Sequence, residues 1–111
     1  VGATKAASPL IGEAKRIATA ARRIETKAEN RQSVTDAELQ AISKMAETLA
    51  GKVAKIPADE AGYQDVIHRK LIGITVLMRR AINEQEAEHY SGVAAASADY
   101  AVTHLPRIVG R

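Results

Sequence analysis

The sequence predicts an all-α fold, an antiparallel bundle of four helices in which three are long and the C-terminal one is short. Three observations carry this prediction. Alanine fills roughly a fifth of the chain while Phe and Trp are absent, a balance that favours helix because strands draw on aromatic and β-branched residues. Apolar residues recur at steps of three and four, the period of one helix face. Polar or proline-containing segments interrupt that pattern at intervals suited to short helix–helix turns. The 111 residues fit a single domain, residues 1–111, since domains take on the order of 100–200 residues.

Helix 1 is expected to begin at Ser8-Pro9, an N-cap followed by proline at the first helical position. Its apolar positions are Leu10, Ala14, Ile17, Ala21, Ile24 and Ala28, a heptad seam, and it should end around Asn30–Gln32. Helix 2 has the clearest start. Thr35 caps, Glu38 completes a capping box, and Val34 can staple onto Leu39. Its seam is Leu39, Ile42, Ala46, Leu49, Val53 and Ile56, and Pro57 stops it. The short link makes helices 1 and 2 an antiparallel hairpin.

Helix 3 is expected from about Asp59 to about Tyr90, with Tyr63, Ile67, Leu71, Ile74, Met78 and Ala81 along one face. The stretch Leu71 to Met78 is apolar on almost every side, which places it at the centre of the bundle or under another subunit. Ser91-Gly92 reads as a break, and helix 4 then runs from about Val93 to His104 on a stripe of Ala94, Ala98, Ala101 and Leu105. Pro106 ends it, and a basic tail from Arg107 to Arg111 follows.

Composition excludes several classes. Without cysteine there are no disulfides and no thiolate metal sites. No apolar run approaches the roughly 20 residues that cross a bilayer. No signal-peptide pattern opens the chain at Val1, so a cytoplasmic location is the expectation. Net charge is +3, distributed as +4 over residues 1–31, −3 over 32–66 and +2 over 67–111. A basic first helix beside an acidic second forms a natural intramolecular pair.

Bundles can hold di-iron centres through Glu-x-x-His, and Glu86 with His89 matches that spacing, with Asp65 and His68 as a variant. On one continuous helix the two pairs would lie about 30 Å apart, too far to share metals. No metal or cofactor is therefore expected. Histidine phosphotransfer domains are also small helical bundles, and His68 is the candidate phosphoryl acceptor. In that family lysine and glycine stand third and fourth after the histidine, whereas here Leu71 and Ile72 do. No serine sits in a recognisable arrangement with a histidine and an acid, so no enzymatic activity is expected.

Two surfaces remain as candidates for partners. Lys15, Arg16, Arg22 and Arg23 form two pairs one heptad apart on helix 1, extended by Lys27, and could meet phosphates of nucleic acid or anionic membrane. Leu71, Ile74, Leu77 and Met78, with Arg79 and Arg80 at their end, form an apolar block for a protein partner or for self-association. The leading expectation is a non-enzymatic protein-interaction or assembly module, with polyanion binding as the alternative.

The segment Lys70 to Ile74, with Arg79 and an alanine- and tyrosine-containing last helix, resembles the basic helical delivery domains of type IV secretion substrates. The resemblance covers about the final third of the chain, and it implies a translocation signal on a bacterial secretion substrate.

Overall fold

The computed structural model describes the backbone of residues 2–109 and the side chains of residues 9–109. Four helices follow one another: α1 (Gly2–Glu29), α2 (Asp36–Val53), α3 (Tyr63–Glu84) and α4 (Ala87–His104), closed by a 3₁₀ turn at Leu105–Arg107. They form an antiparallel bundle about 44 × 22 × 19 Å, in which α1 packs on α2 and α4, and α3 packs on α2 and α4. The diagonal pairs do not meet among the described residues. No helix is long and apolar enough to cross a membrane.

The heptad seams become the core. Ala14, Ile17, Ala21 and Ile24 of α1, Leu39, Ile42, Ala46, Leu49 and Val53 of α2, and Ile67, Leu71, Ile74, Met78 and Ala81 of α3 are all buried. α4 contributes Ala94, Ala95, Ala98 and Ala101, and the 3₁₀ turn plugs one end with Leu105 and Ile108. α1 packs more extensively on α4 than on α2. Alanines on both sides of the α1–α4 contact explain this, because short side chains let the backbones approach.

α2 starts as its sequence requires. The Glu38 amide donates to Thr35 Oγ1 at 3.2 Å, and the Thr35 amide donates to Glu38 Oε1 at 3.0 Å. Val34 packs against the core at the staple position. Lys27 of α1 joins the cap, its Nζ donating to Glu38 Oε2 at 2.8 Å. The Lys27 hydrogen bond, then the Thr35 amide, hold the Glu38 carboxyl down at about 2, against a usual value of 4.5. A depressed carboxyl stabilises the fold above its unfolded pKa and loses that contribution as pH falls through the folded one. Between pH 5 and pH 2 the melting temperature should therefore fall, and it should fall less in Glu38→Gln. Equal losses in the two proteins would show that this cap carries no acid sensitivity.

Four expected boundaries are corrected. α1 does not start at Ser8-Pro9 but runs back to Gly2, with Pro9 inside it; the Ser8 side chain lies outside the described ones. Ala3, Lys5, Ala6 and Ala7 are strong helix formers that favour helix upstream of the proline. α3 begins at Tyr63 rather than Asp59, because Asp59 serves as its cap: the amides of Tyr63 and Gln64 donate to its carboxylate at 3.1 and 2.8 Å. α3 then ends at Glu84 rather than Tyr90, and α4 begins at Ala87 rather than Val93. The turn is made by Gln85, a left-handed residue at φ 56°, with the Glu86 amide donating back to the Ala81 carbonyl at 3.2 Å. Arg31, at φ 56°, ends α1 in the same way. Ser91 and Gly92, the expected break, lie within α4, and Ser91 is fully buried. The fourth helix is consequently as long as α2, not a short appendage. Gly110 and Arg111 of the basic tail lie outside the described residues.

Candidate functional site

The apolar block expected to face a partner is divided by the fold. Leu71, Ile74 and Met78 are fully buried in this chain's own core, so they offer no surface. Leu77 is half-buried against that core, whereas Arg79 and Arg80 are exposed. What α3 presents outward is Val66, ahead of the block, and Ile72 and Val76 within it, which are 37%, 43% and 48% exposed. Val93 of α4, at 40%, completes the large exposed hydrophobics among the described residues. All four sit on α3 or α4, and none on α1 or α2.

The same two helices gather the chain's three tyrosines. Tyr63, Val66, Lys70, Gly73, Leu77, Arg80 and Glu84 step along α3 by alternate threes and fours; Tyr90, Val93, Ser97, Tyr100, His104 and Arg107 do so along α4 and its 3₁₀ extension. Antiparallel packing lays these two stripes beside each other. At one end the Tyr63 and His104 rings stack at 4.9 Å, and Tyr100 packs on His104 at 4.2 Å. Lys70 Nζ lies 5.0 Å from the Tyr100 centroid, and Arg107 Cζ lies 5.3 Å from that of Tyr63. Arg107 Nε donates to His104 Nδ1 at 3.1 Å.

At the other end Arg80 lies over Tyr90 at 5.2 Å and pairs with Glu84 at 3.2 Å. Tyr90 Oη donates to Glu84 Oε2 at 2.6 Å. That bond, reinforced by Arg80, lowers the Glu84 carboxyl, and the same bond raises the Tyr90 phenol against the opposing charge of Arg80. Midway, nothing stands within 4 Å of the place where a side chain on Gly73 would project, so the centre of the face is open. The face is polar along its length, with Lys70 and Arg107 towards one end and Glu84 and Glu86 at the other.

The basic flank of α1 is also divided. Arg22 pairs with Asp99 of α4, and Lys27 is held by Glu38 of α2. Lys15, Arg16 and Arg23 are exposed, with no ion pair to a described residue. Lys15 shares the α4 side with Arg22, a heptad away, whereas Arg16 lines a groove against α2.

The carboxylate–histidine pairs belong to different helices. Asp65 and His68 lie near the start of α3, and Glu86 and His89 flank the start of α4 at the other end of the bundle. No three His, Asp or Glu gather closely enough to hold a metal ion among the described residues. Comparison with protein-family models, curated proteins and solved structures finds no match to this chain.

The tyrosine–histidine cluster was invisible in the sequence because its members are scattered between positions 63 and 107. The stripes themselves were readable as heptads. Which stripe would meet which depended on the turn at Gln85.

Proposed function

We propose that the chain is a non-enzymatic assembly module that self-associates through the α3–α4 face. One observation carries this reading: the face shared by α3 and α4 holds all three tyrosines together with exposed Val66 and Val93, while α1 and α2 carry no large exposed hydrophobic among the described residues. Tyrosine and arginine concentrate at protein interfaces, where they supply large contact area at small entropic cost. Self-association also matches the polarity of the face. A twofold axis perpendicular to the helices, passing Gly73 and Ser97, lays α3 on α3 and α4 on α4 with the ends exchanged. Arg107 then faces Glu86 of the second copy, and the axis passes Gly73, where the face is open. The delivery-domain reading draws on Leu71 and Ile74, whose pattern is explained by core packing.

Sedimentation of the full chain across a concentration series should give a monomer–dimer equilibrium. Val66→Asp with Val93→Asp should leave the helical spectrum intact and the protein monomeric. Arg107→Glu should weaken association at least tenfold, and adding Glu86→Arg should restore most of the loss. A wild type that stays monomeric to about 1 mM, weaker than any useful assembly, would overturn the reading. So would an Asp double variant that dimerises like wild type.

A further inference from the structure

The grooves on either side of α2 carry a different arrangement. Arg16 of α1 and Lys44 of α2 line one groove of about 400 Å³, together with Met45 and Thr48. Lys44 and Arg79 of α3 line the neighbouring groove of about 410 Å³, with Ser43 and Ile82. Three cations from three helices thus follow one another across α2, each exposed and none in an ion pair with a described residue. Arg23, one heptad beyond Arg16 and likewise exposed, extends the row along α1. The carboxylates at these grooves are Glu13, which is held by Lys52 at 2.7 Å, and Glu47. Positive charge therefore predominates over the row.

We infer that this side binds the phosphate backbone of nucleic acid without reading its sequence. Cations spaced over adjacent grooves suit a line of phosphates, each contact releasing counterions. The tyrosines are all on α3 and α4, so no ring is available here to stack on a base. Among the described residues the large exposed hydrophobic beside the row is Ile72 alone, one heptad before Arg79 on α3, too little to anchor below lipid headgroups, and nucleic acid is favoured over a membrane surface. The row takes only Arg79 from α3, on its α2 side and off the stripe that lies beside α4, so the two surfaces share no residue.

The test is fluorescence anisotropy of the full-length chain with a 20-base-pair DNA duplex, in two unrelated sequences, from 50 to 200 mM salt. Both duplexes should bind equally, and log K should fall against log salt with a slope of about −3 to −4, as three or four phosphate contacts require. Arg16→Glu, Lys44→Glu and Arg79→Glu combined should reduce affinity at least tenfold. Lys55→Glu, a change of exposed charge beyond the end of α2, should reduce it much less. Circular dichroism and sedimentation should show the triple variant folded and as self-associated as wild type. Binding that survives the triple substitution, or that Lys55→Glu weakens equally, would overturn the inference. So would capture by vesicles of phosphatidylcholine with a third phosphatidylserine in place of either duplex.

Discussion

Leu71→Ala should cost the fold about 2–5 kcal/mol, while Ile72→Ala, its immediate neighbour, should cost less than about 0.5 kcal/mol. The difference follows from a rotation of about 100° around α3. Leu71 is fully buried among the core residues, so truncation removes its transfer free energy and leaves a cavity that the surrounding helices fill only in part. Ile72 is 43% exposed and leaves no such cavity. Against a total stability of about 5–15 kcal/mol, the first substitution takes a large share of what holds the domain together. Urea unfolding of dilute monomer, compared at constant m value, measures both. Similar losses at the two positions would mean that the apolar block is oriented differently from the structure described here.

Ala98→Leu should be the most damaging small-to-large change in α4. Ala98 is fully buried, and α4 meets α1 through small residues on both sides, with Ala14, Ala18 and Ala21 buried on α1. Three additional carbons have no room there unless the helices separate, and overpacking of this kind costs about 1–3 kcal/mol. In a domain of this length each kcal/mol corresponds to a melting-point decrease of about 4–8 °C. Ala96→Leu, on the exposed side of the same helix, should leave the midpoint nearly unchanged. A variant at 98 that melts with wild type would refute the close α1–α4 approach.

Much of the fold was readable because its signals are local. A cap and its box span four residues, from Thr35 to Glu38, and the hydrogen bonds they promise form as expected. The seams of α1, α2 and the central part of α3 are periodic over several turns, and every large residue assigned to them from Ala14 to Val53 is buried. The failures share a cause. Glycine marks left-handed positions because it lacks a Cβ, so the sequence pattern points to a break at Ser91-Gly92. The chain instead turns at Gln85, accepting the roughly 1–2 kcal/mol that a left-handed residue costs. Packing α3 and α4 along almost their whole lengths offsets that cost. Gly92 stays inside α4, beside the Glu25 side chain of α1.

The candidate face shows the same division more sharply. Exposed and buried apolar residues alternate within Leu71–Met78, and hydropathy alone could not sort Ile72 and Val76 from Leu71 and Ile74. Likewise the α1 cations are alike in sequence, but Asp99 takes Arg22 and Glu38 takes Lys27, leaving Arg16 to line a groove with Lys44.

By itself, then, the sequence determined that this chain is an antiparallel helical bundle and which residues of α1 and α2 form its seams. Both follow from backbone propensity and from a periodicity that repeats every few residues. Only the tertiary structure decided where α3 yields to α4, which half of the apolar block faces outward, and that three tyrosines and a histidine gather along one face. Those outcomes depend on contacts between residues tens of positions apart, whose geometry exists only once the helices have packed.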